Sequence, residues 1–240
     1  MPIPPLTETR PQLSPRDAYA VQAAWLEKKL AAGGRLAGRK VGLTSRAMQQ
    51  QLGVGEPDFG FLLESMLVRS GATLIRSQLL QPRVEPEIAF WLESDVRGPG
   101  VTAAQVLAAT RGVSAALEIV DSRIANWKIK LADTIADNGS SARAVISERV
   151  VPVTNLDLAA ESVQLFKNDQ EVGRGAGADV LGHPAEAVAW LANRLADFNA
   201  HLAAGQVVLP GAMCASVFAE QGETFRAEFP HLGAVQVSFS

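Results

Sequence analysis

Gln81-Pro-Arg-Val-Glu-Pro-Glu-Ile-Ala-Phe90 places two carboxylates two residues apart inside a strand-like run. In a strand, residues i and i+2 share a face. Val84, Pro86, Ile88, Phe90 and Leu92 then point one way, into a core, while Glu85, Glu87, Ala89 and Trp91 point the other. Two like charges side by side repel, so the pattern asks for a compensating cation. Three readings fit the pair. It is a solvated outer face, the usual place of strand glutamates; a pair of acid/base carboxylates with separated pKa values; or part of a site of hard oxygen ligands suited to Mg²⁺ or Mn²⁺.

A third carboxylate, Glu118, lies in Val113-Ser-Ala-Ala-Leu-Glu-Ile-Val120, where nearly every neighbour is apolar. A charge there must be paired or bound to a metal. Asp121 and Arg123 follow at once, and Arg123 is the obvious ion-pair partner for either acid. Three glutamates on two strands supply part of an octahedral shell and leave positions for water and substrate, as Mg²⁺ commonly does.

The chain has 240 residues, enough for a sizeable core; 48% are hydrophobic and 20% charged, as in ordinary globular proteins. A formal net charge of −3 and no basic run leave no electrostatic footprint for nucleic acid. Cys214 is the only cysteine, which excludes an intrachain disulfide and a thiolate metal site; its small neighbours read as a buried position. The three histidines lack metal spacing. The first residues show no signal pattern and no window approaches a membrane span, so a cytoplasmic location is expected.

Residues 1–13 read as an extended or poorly ordered arm. Ser14, Pro15 and Asp17 start a helix whose apolar positions Ala18, Val21, Ala24 and Trp25 recur until Gly33-Gly34. Gly38–Leu43 reads as an edge strand whose Lys40 either turns inward or, as is commoner for a lone lysine, snorkels at the surface; Ser45 reads as the cap of a short helix through Gln51, and Glu56–Gly60 as a turn carrying Asp58. Strands are expected at 66–69, 74–76, 84–92, 113–120 and 142–146, with a Thr102-capped helix between the third and fourth. Residues 124–131 alternate, and Asp137-Asn-Gly139 is a turn. A hairpin about Asn168-Asp169, a Pro184-led helix with Val188, Leu191, Leu195 and Phe198 on one face, and three closing strands complete the chain. The glycines at 173, 175 and 177 fit no phosphate-loop spacing. Strands outnumber helices without regular β-α-β alternation, which argues for α+β.

Gly38-Arg-Lys-Val-Gly-Leu-Thr44, Glu56-Pro-Asp-Phe-Gly60, Leu80–Phe90, Leu117-Glu-Ile-Val-Asp-Ser-Arg123, Asp133-Thr-Ile-Ala-Asp-Asn138 and Leu181-Gly-His-Pro184 together resemble the 2-hydroxypenta-2,4-dienoate hydratase and 4-oxalocrotonate decarboxylase group of the fumarylacetoacetate hydrolase superfamily. The resemblance implies a mixed β-sandwich or rolled β-barrel core with a helical N-terminal portion. The chain is expected to form a single catalytic domain over 1–240, with 1–65 mostly helical and 66–240 β-rich. The resemblance makes Lys40 and Asp58 catalytic, and puts Lys40, Thr44 and Asp58 on the substrate. Glu85, Glu87 and Glu118 become the ligands of Mg²⁺ or Mn²⁺. The implied activity is that of a lyase, hydrating 2-hydroxypenta-2,4-dienoate or a close 2-hydroxy-dienoate to 4-hydroxy-2-oxopentanoate in aromatic or steroid meta-cleavage catabolism. Decarboxylation of 4-oxalocrotonate is the alternative, and a non-catalytic partner subunit a further one. Homo-oligomeric assembly, and association with a sister hydratase or decarboxylase or a downstream aldolase, are also implied; nucleic acid and membrane are not. Ala115 and Gly139 stand where the family often has Pro and Ala.

Overall fold

The structure, a computed structural model, describes residues 1–45, 49 and 55–240. Its frame is the antiparallel pair β5 (Pro82–Leu92) and β6 (Thr110–Asp121), in register from Pro82 opposite Asp121 to Trp91 opposite Gly112, with a bulge before Leu92 pairs with Thr110. Around them run β1 (Leu36–Gly42), β2 (Asp58–Leu63), β3 (Leu67–Arg69), β7 (Ser141–Ile146) and β10 (Val207–Leu209), in the order β2-β1-β10-β5-β6-β7-β3. A two-residue strand, β11 (Val217–Phe218), adds to β5. The pairs β1–β10 and β3–β7 are parallel and the others antiparallel, so the large sheet is mixed. A second sheet of five strands has the order β4-β13-β12-β8-β9, from β4 (Ala72–Leu74), β8 (Ser162–Lys167), β9 (Gln170–Ala176), β12 (Thr224–Phe229) and β13 (Gly233–Phe239).

The period-two pattern of β5 divides two environments. Val84, Ile88, Phe90 and Leu92 are buried in the main core with Leu117 and Ile119 of β6, and the same core takes in Phe225, Phe229 and Phe239 of the second sheet. Across the strand, Ala89 belongs to a second cluster with Ala116, Ala144, Val207 and Leu209, against which Trp91 packs. This second face is concave. Neighbouring strands are spaced about 4.8 Å apart, so β1 and β6, three steps apart, would be about 14 Å apart in a flat sheet. Yet Lys40 of β1 reaches Glu118 of β6 at 3.3 Å, which requires the sheet to curl and the two side chains to lean together. The architecture is α+β with a curled large sheet.

The α-helices with described bounds are α1 (Leu6–Thr9), α2 (Pro15–Ala31), α3 (Ala103–Ala108), α4 (Leu131–Ala136) and α5 (Pro184–Ala196). Ser14 caps α2 with a reciprocal Ser14–Asp17 box and Pro15 in the first turn, Thr102 caps α3 in the same way with Gln105, and His183 Nδ1 accepts from Ala185 N–H to cap α5. None of the helices among the described residues is long and apolar enough to cross a membrane.

Several local expectations change. The arm at 1–13 is ordered: Ile3 bridges Ile124, and Thr7 donates from its N–H and hydroxyl to Asp133 at 2.9 and 2.7 Å. The buried stripe of α2 is Ala18, Tyr19 and Gln22, leaving Val21 exposed, because Gln22 Nε2 donates to Phe59 O and Ile135 O at 2.9 and 2.8 Å. β1 is not an edge strand, lying between β2 and β10, and the turn expected at Asp58 is the start of β2. Within the first 65 residues, β1 and β2 thus join the large sheet, alongside helices α1 and α2. The alternation after Ile124 ends in a helix, α4, whose first turn is held by Asp133 accepting from Lys130 N–H. The helix expected from Ser45 through Gln51 lies mostly outside the described residues.

Candidate metal centre and active site

Glu85 and Glu87 share a face of β5, and the register sets Glu118 directly opposite Glu85. Cross-strand neighbours point the same way, so the three carboxylates converge, with one oxygen of each within 4.8 Å of the others. Glu87 and Glu118 are fully buried, and Glu85 is half-buried where it meets a cavity of ≈ 370 Å³. Glu87 Oε2 accepts from Gly211 N–H at 2.8 Å, but Glu87 Oε1 and both Glu118 oxygens are buried without a hydrogen bond. Glu118 Oε2 has the Lys40 ammonium at 3.3 Å, an ion-pair contact without hydrogen-bond alignment.

Charges this close repel by roughly 3 kcal/mol per pair at an effective dielectric of about 20. Burial, then the charge of Glu118, pushes Glu85 up to about 7. Glu87 is raised well above the ordinary carboxylate range by burial and by both neighbouring acids. One lysine does not balance three carboxylates. Hard oxygen donors, mutual distances within 4.8 Å and orphaned buried oxygens together fit a divalent cation. Arg123, the expected partner of Glu118 or Asp121, instead pairs with Asp137 at 2.6 Å, and Asp121 is taken up by the backbone N–H groups of Leu80 and Gln81.

Lys40 and Asp58 complete the group. Lys40 is buried and donates to Gly139 O at 2.9 Å. Burial works against its charge, but Glu118, Asp58, Glu85 and Glu87 outweigh that and hold the ammonium above the ordinary lysine value. Asp58, also buried, accepts from Thr134 Oγ1 at 3.1 Å, and burial raises its pKa despite the nearby Lys40 charge. The two side chains meet over Gly42, where a Cβ would stand 2.3 Å from Asp58 Oδ1 and 3.3 Å from Lys40 Nζ; no side chain fits there. Thr44 is buried at the cavity wall beside Gly211, where φ is +123° and an added Cβ would stand 2.2 Å from Thr44 Oγ1, so a larger residue is excluded.

The turn after α4 holds the lysine in place. Asn138 pairs with the backbone of Phe61 in β2, accepting from its N–H at 2.7 Å and donating to its O at 3.0 Å. Asn138, Gly139 and Ser140 all have positive φ, which aims the Gly139 carbonyl at Lys40. Every residue expected at the site from the sequence, Lys40, Thr44, Asp58, Glu85, Glu87 and Glu118, is therefore in one neighbourhood. Four supports were not foreseen: Thr134, Gly139 O, the Asn138 clamp and Gly211 N–H. The Asp133–Asn138 motif held a signal for the first three, whereas Gly211 carried none. Cys214, expected to be buried, is half-buried in the cavity wall.

Over residues 33–240 the chain matches the family described as fumarylacetoacetate (FAA) hydrolase C-terminal, and it belongs to that family. It is 46% identical over 238 residues to a 2-hydroxyhexa-2,4-dienoate hydratase of Comamonas testosteroni, covering 98% of this chain and 90% of the relative. It is 48% identical over 198 residues to a 2-hydroxypent-2,4-dienoate hydratase of Pseudomonas putida, covering 82% and 89%. Among solved structures, 4-oxalocrotonate decarboxylase from Pseudomonas putida G7, complexed with magnesium and adipate, superposes with a TM-score of 0.97 at 36% identity over 100% of this chain and 91% of that one.

Proposed function

We propose that this member of the fumarylacetoacetate hydrolase C-terminal family is a hydro-lyase, adding water to 2-hydroxypenta-2,4-dienoate or a close 2-hydroxy-dienoate to give 4-hydroxy-2-oxopentanoate or its homologue. The observation that carries the reading is the convergence of three carboxylates with orphaned oxygens beside a buried lysine–aspartate pair at one cavity. The choice of hydration is supported by the names of the relatives at 46% and 48% identity.

Glu85, Glu87 and Glu118 would hold a divalent cation, Mg²⁺ or Mn²⁺. When bound, such an ion supplies Lewis-acid stabilisation of the negative charge on the C1 carboxylate and C2 oxygen of the substrate. Lys40, buried beside these acids, would act as a charged donor to that oxygen. Asp58, whose pKa is raised by burial, would deliver a proton to C5 as the enol ketonises, with Thr134 fixing the direction of its carboxyl. The resulting 3-en-2-one accepts water at C4 and a proton at C3. Glu85, the member of the three-glutamate cluster that lines the cavity, would orient that water. Thr44 sits at the wall where the substrate head would rest.

Decarboxylation of 4-oxalocrotonate is the second reading, favoured by the structural likeness at a TM-score of 0.97. Both reactions pass through a dienolate, and the acid cluster serves either. Purified chain with Mg²⁺ is given hydroxypentadienoate and oxohexenedioate separately, with ultraviolet loss and CO₂ release followed. Loss of the first substrate without CO₂ from the second is the expected result; CO₂ release without hydration reverses the reading, and inactivity on both with metal bound returns the chain to a partner-subunit role. Homo-oligomeric assembly belongs to the same proposal and is read by light scattering.

A further inference from the structure

We infer that Arg123 is a positioning residue for the reaction: from just beyond β6 it holds the turn at 137–140 so that the Gly139 carbonyl and Glu118 grip Lys40 together. The inference rests on the lyase reading, which gives Lys40 its role toward the substrate oxygen, and deepens it by naming what aims that lysine. Lys40 has partners on two different segments. Glu118 belongs to β6 and stands at 3.3 Å; the Gly139 carbonyl belongs to the turn between α4 and β7 and accepts at 2.9 Å. An ammonium has three donors, so a carbonyl and a carboxylate held in fixed places leave one for the cavity that Lys40 lines. The backbone alone does not fix these two partners relative to each other. The β6–β7 ladder is irregular between Ile119 and Val120, where Val120 meets Ser141. Asn138, Gly139 and Ser140 also take φ of +60°, +57° and +57°, a conformation disfavoured for residues with a Cβ, so the turn needs side-chain support.

Arg123 supplies that support across the irregularity. Its Nε donates to Asp137 Oδ1 at 2.6 Å, its Nη1 to Asp121 O and Ser141 O at 2.9 and 3.1 Å, and its Nη2 to Asp137 O. The Arg123 N–H, Ser122 Oγ and Ser140 Oγ all donate to Asp137 Oδ2, at 3.1, 3.2 and 3.1 Å. One guanidinium therefore ties the residues that follow Glu118 to both ends of the turn. The Asp137 side chain is only 6% exposed, so the pair differs from a screened surface bridge that contributes little. Its planar fork reaches acceptors on three sides, which the point charge of a lysine does not reproduce. On the far side the Asn138 clamp on Phe61 fixes the turn to β2, the neighbour of the strand that carries Lys40.

The test compares wild type, Arg123→Lys and Arg123→Ala as full chains with Mg²⁺. It reads turnover of whichever of the two substrates the chain accepts, Mg²⁺ affinity, and deuterium uptake at 137–141, where Ser140 N–H is bonded to Asp137 O. Arg123→Lys is expected to speed exchange there and to lower kcat by about tenfold or more, with KM and Mg²⁺ affinity within about twofold of wild type. The Arg123 side chain is 29% exposed, so free guanidinium below denaturing concentration can enter the space left in Arg123→Ala. It is expected to restore part of kcat, where NaCl at the same ionic strength does not. Unchanged exchange or unchanged kcat in Arg123→Lys overturns the inference. A loss of kcat matched by an equal loss of Mg²⁺ affinity overturns it too, since that marks a general structural role. Should Arg123→Ala fold poorly, the lysine variant decides alone. A wild-type chain inactive on both substrates overturns the lyase reading and the inference with it, whereas an active wild type matched by Arg123→Lys overturns the inference only.

Discussion

The β5–β6 ladder has two largely buried faces that are chemically opposed. On one, Val84, Ile88, Phe90, Leu117 and Ile119 fill the main core. On the other, Glu87 and Glu118 are buried, and Glu87 Oε1 and both Glu118 oxygens find no hydrogen bond. The first face gains stability from its burial, and the second gives stability up, since desolvated like charges are held together awaiting a counter-ion. The same backbone thus serves as scaffold on one side and as site on the other, and the difference between them is open to measurement.

The largest expected effect is on the scaffold face. Phe90→Ala empties a fully buried position and should cost about 3–5 kcal/mol in urea unfolding, to the same extent with and without Mg²⁺. A metal-dependent loss would mean that the two faces are not separable. On the site face, Glu87→Gln keeps an acceptor for Gly211 N–H and removes a charge. Metal affinity should fall and kcat/KM drop by about 10²–10³-fold, while the metal-free chain unfolds no more easily than the wild type. Unchanged metal affinity would count against the centre.

Acidity sharpens the contrast. Glu85 binds its proton more tightly when folded, with its pKa pushed up to about 7 by burial and Glu118. An acid raised on folding carries no penalty below its unfolded value, a growing one between about 4.5 and 7, and the full penalty above. The metal-free chain should therefore lose stability as pH rises through that window, on the order of 3 kcal/mol from this group. Saturating Mg²⁺ should flatten the slope; a metal-free melting temperature that rises from pH 5 to 8 would contradict it. The smallest effect is expected at Thr134→Val, which removes the hydroxyl donor to Asp58. About 1 kcal/mol, or roughly fivefold in kcat with little change in metal affinity, should follow.

Legibility varied with the range of the interactions involved. The faces of β5 were readable because strand alternation is local, and Val84, Ile88, Phe90 and Leu92 lie in the main core as the pattern required. The start of α2 was readable because its Ser14–Asp17 box is contained in four residues. The buried stripe of α2 was not, because Gln22 becomes a core residue through carbonyls of Phe59 and Ile135, distant in sequence. α4 was missed because Ile124, Trp127, Ile129 and Leu131 alternate up to its first turn, and the arm at 1–13 because its order depends on Asp133 and Ile124. Arg123 was matched with the nearest acids in sequence, whereas the fold offers it Asp137.

The sequence by itself determined which residue types were present, that Glu85 and Glu87 share a face, and that a lone glutamate in an apolar strand needs a partner, since these follow from periodicity and from the cost of burying charge. Only the tertiary structure decided that Glu118 stands opposite Glu85, that β10 inserts between β1 and β5, and that the sheet curls enough for Lys40 to reach Glu118 at 3.3 Å. Strand order, register and curvature are collective properties of many weak pairings across the whole sheet, so no short window of residues contains them.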